Sequence, residues 1–411
     1  MAIAIFALTY LFIAGVRVPW VKLDRTGGAL LGAVLMVVTG AVLPEQVMEA
    51  IDGGTIVLLL GMMMLASYLS EAAFFRAAAY HAVRVARTPR TLLVAVSAVS
   101  AVMSAFLVND TVCLMLTPLV LAVVAESRLP PLPYLLALCM SSNAGSAATF
   151  TGNPQNMLIQ GASGIPYATF LAHMALPAAL STGVVIGVLL FAFRHQLPRE
   201  PIQPHPPPPP VDRPLLWLSS LALLGVVVAF FLEAPMGWAA LAGAAFVMTV
   251  SRHEPRRALE RVDYQLLLFF SALFIVVYGV NQEGWADRIH QAFAPLLAGG
   301  PIREAWGFAG LSLLASNLFS NVPFVMLARS WVPALQAPGL GWEVLALSST
   351  LAGNLTLVGS VANLIVFELA KEKYRVGFWE YAKLGIPVTL ISLVLGMAAL
   401  LAQHALLGTL R

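Results

Sequence analysis

The stretch Ser142-Asn143-Ala144-Gly145-Ser146-Ala147-Ala148-Thr149-Phe150-Thr151-Gly152-Asn153-Pro154-Gln155-Asn156-Met157 lies between two hydrophobic runs, yet it is full of hydroxyls, carboxamides and helix-breaking residues. Gly152 and Pro154 are poor helix formers, and hydrocarbon cannot satisfy the backbone groups that a break sets free. Such a break inside a membrane is tolerated only where it lines a cavity enclosed by protein. A second copy follows as Ser348-Ser349-Thr350-Leu351-Ala352-Gly353-Asn354-Leu355-Thr356-Leu357-Val358-Gly359-Ser360-Val361-Ala362-Asn363. Adding 207 carries Ser141 to Ser348, Ser142 to Ser349, Thr149 to Thr356, Gly152 to Gly359 and Asn156 to Asn363.

Composition sets the class. The 411 residues are 59% hydrophobic and 10% charged, with mean hydropathy +0.85, whereas about a quarter of a soluble domain is charged. The chain reads as a polytopic membrane protein. Its net charge of +3 is small and its arginines sit in loops, which argues for membrane topology and against a nucleic-acid partner. Cys113 and Cys139 lie in apolar segments and suggest neither a disulfide framework nor a redox site. Met1 to Phe6 runs straight into apolar residues, so the start reads as a first span rather than a cleaved signal.

Working outward from the two breaks, the first transmembrane repeat is expected over 1–194. It holds spans near 2–18, 27–44 and 54–70, an arginine-bearing surface helix, a re-entrant hairpin at 91–126, the broken helix at 134–160 and a span at 169–193. The hairpin tip is Val108-Asn109-Asp110-Thr111. A Pro-rich linker at 195–213, with Pro206 to Pro210 consecutive, predicts a semi-rigid cytoplasmic connector. The second repeat, 214–411, reads the same way: spans near 215–232, 236–250 and 264–281, a surface helix around Trp285, a hairpin at 303–334, a broken helix at 343–368 and a span at 384–408. Its tip, Ser320-Asn321-Val322-Pro323, lies 212 residues after the first, and Ser104 maps on Ser316 by the same shift. Internal duplication explains these coincidences.

Loop charge orients the chain. Residues 17–25 carry Arg17, Lys22 and Arg25, while 45–52 carry Glu45, Glu49 and Asp52. The first is placed inside and the second outside. Five crossings per half then make the repeats inverted, put both termini outside and place the protein in the cytoplasmic membrane. Residues 283–303 and Arg329 fit this scheme less cleanly.

The candidate site comprises Ser104, Asn109, Asp110 and Thr111 at the first hairpin and Thr151, Gly152, Asn153, Gln155 and Asn156 at the first break. The second half contributes Ser316, Asn317, Ser320 and Asn321, with Thr356, Gly359, Ser360 and Asn363. Half-helix N-termini suit an anion, and freed carbonyls and carboxamides suit a small cation. Lone serines such as Ser100, Ser181 and Ser348 have a simpler reading as close-packing residues. Asp110 is the most telling residue, since a charge between apolar arms costs at least about 2.5–3.5 kcal/mol. It is read as binding a cation or carrying a proton, against a purely structural pairing with a hairpin amide. Its repeat mate is Val322. Glu368 reads as interfacial beside Lys371 and Lys373, and His173 and Lys383 as residues that snorkel. His81, His195, His205, His253, His290 and His404 are scattered without metal-ligand spacing, and no Walker motif suggests ATP hydrolysis.

At these residues the chain resembles the ion transporter superfamily, which includes arsenite permeases, citrate permeases, sodium/proton antiporters and divalent anion:sodium symporters. The resemblance covers nearly the whole chain and rests on Ser104/Asn109/Asp110/Thr111, Gly152 to Asn156, Ser316/Ser320/Asn321 and Gly359 to Asn363. It implies an all-α fold of two inverted repeats, each with a re-entrant hairpin and a broken helix, substrate between the tips and an elevator-like movement. It also implies Na⁺ at Ser104, Asn109 and Asp110 and at Ser316, Ser320 and Asn321. Sodium-coupled symporters typically read Ser-Asn-Thr at the tips, where this chain has Val108-Asn109-Asp110 and Ser320-Asn321-Val322. The Asn109-Asp110 pair is more similar to arsenite permeases, and Gly152 to Asn156 to the anion permeases.

The expected function is therefore ion-coupled secondary transport of a small anion or oxyanion, with Na⁺ or H⁺ as coupling ion and no other cofactor. Arsenite or antimonite efflux, with an ATPase partner in the case of a pump, is the runner-up, followed by sodium/proton antiport. A passive anion channel is the alternative of another class, and an intramembrane enzyme would want a nucleophile and base that the sequence does not offer. Membrane lipid surrounds the chain, and the resemblance allows a homodimer.

Overall fold

The computed structural model describes residues 1–13, 23–198, 200–201 and 210–408. Arg17, Lys22, the end of the first expected span and Pro206 to Pro209 of the linker lie outside the described residues. Those described form an all-α polytopic membrane protein of two inverted-topology repeats.

Each repeat begins with three helices, and the chain starts many of its helices with the chemistry that helix ends require. The four N-terminal N–H groups of a helix lack intrahelical acceptors, and an aspartate at the cap supplies one. Asp24 caps Arg25–Val38, Asp52 caps Gly53–Glu71, Asp212 caps Arg213–Phe231 and Asp263 caps Tyr264–Gln282. Proline, whose missing N–H costs nothing in the first turn, starts Pro89–Phe106, Pro131–Ser146, Pro154–Ser163, Pro301–Phe319 and Pro338–Ala352. The surface helices Phe74–Val85 and Trp285–Leu297 each follow a left-handed residue, Ala73 at φ 67° and Gly284 at φ 69°.

The packing is reciprocal. Gly53–Glu71 lies against Met236–Val250, and Arg25–Val38 against Tyr264–Gln282, so the third helix of each repeat meets the second helix of the other. Within each repeat the first hairpin arm packs on the first half of the broken helix: Pro89–Phe106 on Pro131–Ser146, and Pro301–Phe319 on Pro338–Ala352. The second arms cross over, Asn109–Glu126 to Val361–Ala370 and Asn321–Ala328 to Pro154–Ser163. The long last helices, Tyr167–Ala192 and Phe378–Leu406, carry Pro177 and Pro387 and pack together. Only an approximate twofold relation pairs elements in this way.

The tips are tighter than the sequence suggests. The first hairpin breaks only at Leu107 and Val108, and Asn109, Asp110 and Thr111 already form the first turn of its second arm. The second breaks at Ser320 alone, which takes φ 73° and ψ 151°, and its second arm is only Asn321–Ala328. By length the arms of the first hairpin are long enough to cross a membrane. Their tip is buried against the broken helices instead, which makes the hairpin re-entrant. Arg329, the misfit in the charge pattern, sits 3.7 Å from Asp52. Glu368 pairs with Lys371 at an exposed position, as an interfacial group does.

Candidate functional site

At each break the chain leaves carbonyls without helical partners, and one asparagine from the following half-helix collects them. Asn156 Nδ2 donates to the carbonyls of Ser146 (3.2 Å) and Thr149 (2.9 Å). Asn363 Nδ2 donates to those of Gly353 (2.7 Å) and Thr356 (3.1 Å), the same positions one repeat later. The caps also correspond. Asn153 accepts from the Asn156 N–H at 2.9 Å, and Ser360 from the Ala362 N–H at 3.2 Å. Gly152 is needed for the sharp return, because a β-carbon there would lie 2.2 Å from the Ser146 carbonyl oxygen.

Between the breaks sits a residue that the repeat pattern does not select. Asn143, buried in the first half-helix, donates to Asn354 Oδ1 (2.9 Å) and Asn363 Oδ1 (3.1 Å) and accepts from Asn109 Nδ2 (3.0 Å) and Ser360 Oγ (3.1 Å). It joins one hairpin tip and both breaks. Asn354 in turn donates to the Met140 carbonyl at 3.0 Å. Ser104 meets Ser142, hydroxyl to hydroxyl, at 2.6 Å, and Ser142 also donates to the Asn109 carbonyl at 3.3 Å. Thr350 accepts from Asn153 (3.1 Å) and Gln155 (3.4 Å).

A cavity of roughly 300 Å³ opens between the tips, at the small end of ligand pockets. Of the expected site residues it is lined by Asn109, Asp110, Gln155, Ser320, Asn321, Gly359 and Ser360. The others stand behind it. Ser104, Asn153, Asn156 and Asn363 form the hydrogen-bonded wall. Thr151 turns to the Ala105 carbonyl at 3.4 Å, and Asn317 holds the Ala352 carbonyl (2.9 Å) and the Thr356 hydroxyl (3.0 Å). Gly152 packs on Ser146, and Ser316 is buried with no hydrogen-bond partner among the described residues. Thr111 lines a smaller side cavity with Arg261 and Asp263.

The cavity also has members from the opening helices of both repeats, notably Asp24, Arg25, Thr26, Asp263 and Gln265. Asp110 shares this lining with both Arg25 and Asp263. Six helices therefore begin at this cavity, at Arg25, Asn109, Pro154, Tyr264, Asn321 and Val361. Each N-terminus carries a partial positive charge of about half a unit. Asp24 and Asp263 cap two of them and Asp110 sits in the first turn of a third, leaving those at Pro154, Asn321 and Val361 without a carboxylate of their own. The tip asparagines Asn109 and Asn321, 5% and 9% exposed, each keep a carbonyl oxygen without a protein partner among the described residues.

Two readings of other residues need correction. His173 does not snorkel outward but turns to Glu343, its Nδ1 lying 2.7 Å from Oε1. His404 is not isolated either, with Nε2 2.6 Å from Glu343 Oε2. Three separate helices bring these residues together, so no spacing in the sequence reveals the cluster.

Paired broken helices, paired hairpins and a polar cavity where they meet define a multi-pass membrane transporter, not an enzyme. The crystal structure of the Alcanivorax borkumensis YdaH transporter, described as having an unusual topology, has the same fold: TM-score 0.62 over 98% of this chain and 96% of that one, at 15% identity. The profile of the citrate transporter family (CitMHS) matches residues 10–352, and the chain belongs to that family, within the superfamily its motifs resemble. It is 33% identical to the silicon efflux transporter LSI3 of Oryza sativa subsp. japonica, over 92% of this chain and 93% of the relative. It is 27% identical to the putative transporter arsB of Dictyostelium discoideum, over 96% and 90%. A 46 kDa membrane protein of Mycobacterium leprae is 31% identical over 96% of both chains.

Proposed function

We infer that the protein is an ion-coupled secondary transporter of a small oxyanion or its hydroxylated acid, working by alternating access across the cytoplasmic membrane. The observation that carries this reading is the meeting of six helix N-termini at one cavity. The three that lack a carboxylate turn positive dipole ends toward substrate oxygens, and Arg25 adds a guanidinium to the lining. Three carboxylates, Asp24, Asp110 and Asp263, line the same space. They disfavour a multiply charged substrate such as citrate and favour a weakly charged, hydroxyl-rich one. The names of the rice and Dictyostelium relatives, a silicon efflux transporter and arsB, point the same way and keep arsenite or silicate efflux as the particular case.

Asp110, with the tip carbonyl oxygens of Asn109 and Asn321, binds the coupling Na⁺ or carries the H⁺. The hairpins and broken helices move as one unit against the first helices of each repeat, which carry Arg25 and Asp263. Since 17–25 and 252–261 are basic, the cavity faces the cytoplasm here, and both termini lie outside. The acidic lining also favours a second reading, sodium/proton antiport.

Purified protein in liposomes decides between them, with arsenite, silicate, phosphate and citrate tested under separately imposed proton and sodium gradients. The expected result is movement of arsenite or silicate driven by one gradient, with citrate excluded. Sodium-dependent pH change in the lumen, with no movement of any of the four, would establish the antiporter.

A further inference from the structure

The buried cluster His173, Glu343 and His404 lies apart from the cavity. Glu343 sits in helix Pro338–Ala352, roughly 13 Å along the axis from the broken end that faces the tips. None of the three residues lines the cavity. His173 comes from Tyr167–Ala192 and His404 from Phe378–Leu406, so the cluster joins the last helices of both repeats to the second broken helix. One donor atom from each residue lies within 4.8 Å of the others. Glu343 is 2% exposed, His404 7% and His173 18%.

A carboxylate at such a place is costly unless a cation or strong hydrogen bonds accompany it. Two imidazoles and one carboxylate form the donor set that zinc and its neighbours prefer, whereas Mg²⁺ and Ca²⁺ ask for oxygen alone. We propose that His173, Glu343 and His404 bind one divalent transition-metal ion of the zinc class, fastening the final helices of the two repeats to the second broken helix. With metal–ligand bonds of roughly 2.0–2.2 Å, donor atoms around a tetrahedral ion stand about 3.3 Å apart. His173 Nδ1 and His404 Nε2 meet opposite oxygens of Glu343, at 2.7 and 2.6 Å; with the carboxylate bound through one oxygen, that contact opens by about 0.6–0.7 Å and the other imidazole turns from the second oxygen toward the ion. Three protein ligands leave a fourth position, and His173, the most exposed of the three, marks the way in.

The test uses full-length protein without a histidine tag, titrated with Co²⁺ in detergent and followed by visible absorption, then with Zn²⁺ as competitor. The expected result is one Co²⁺ per chain, with an intense visible band characteristic of low coordination that Zn²⁺ abolishes. His173→Gln weakens binding at least tenfold, and Glu343→Gln removes it. His253→Gln, at an imidazole flanked by Glu71 (3.1 Å) and Asp212 (2.9 Å), leaves it unchanged. No stoichiometric binding by the unaltered protein, or a Co²⁺ affinity left unchanged by His173→Gln, overturns the proposal and makes the cluster a hydrogen-bonded clamp. Because the readout is metal binding to the unaltered chain, it stands whether or not transport is observed and whether or not Glu343→Gln folds.

Discussion

The two breaks are nearly copies of each other, and the two tips are not. Asn156 and Asn363 collect the same pair of freed carbonyls, and Asn153 and Ser360 cap the same helix starts. At the tips, Asp110 has Val322 as its repeat mate. Asn109 is tied to Asn143, whereas no hydrogen bond of the Asn321 side chain is among those described. The first chain reversal uses Leu107 and Val108, the second a single serine at positive φ. Features kept in both repeats therefore hold backbone in place inside the membrane, a need that both breaks share. The feature present only once, Asp110, is where we propose that coupling resides.

Asn143 is the first point at which to break this picture. Asn143→Leu loses four hydrogen bonds linking one tip to both breaks, so it should abolish transport and lower stability by about 3 kcal/mol. Transport assays in liposomes and thermal unfolding in detergent check both. Next come the two turn glycines. Gly152→Ala drives a β-carbon to 2.2 Å from backbone and should cost about 2 kcal/mol, while at Gly359 the nearest atoms are 3.0 Å away and the alanine should be tolerated far better. Equal unfolding midpoints for the two variants would contradict the geometry.

The carbonyl-collecting asparagines sharpen the comparison further. Asn156→Ala should cost about 1 kcal/mol, and Asn363→Ala about 0.6 kcal/mol more, because Asn363 also accepts from Asn143. The one stabilising effect is expected at the second tip. Ser320→Gly relieves a conformation that only glycine adopts easily and should raise stability by about 1 kcal/mol.

Much of this architecture is legible in the sequence, because a polar interruption in an apolar run has few explanations. The doubled breaks, the hairpins and the tip residues Asn109, Asp110 and Asn321 follow from that reasoning. Asn143 and Asn354 escape it because their repeat mates are Thr350 and Ala147, so a search for matching pairs passes over them. Arg25, Asp24 and Asp263 escape for another reason. They begin helices beside loops, where charge reads as topology, and only the crossing of the repeats brings those helix starts under the tips. His173, Glu343 and His404 come from three distant segments and leave no local signal at all.

The central claim is that coupling resides in the first tip, and Asp110→Asn tests it most directly. In liposomes, the variant should still exchange labelled for unlabelled substrate at equal concentrations, since the N-termini at Pro154, Asn321 and Val361 are untouched. It should no longer accumulate substrate against its gradient when a proton or sodium gradient is imposed. Accumulation at the unaltered level would show that Asp110 is a structural partner and that the coupling site lies elsewhere.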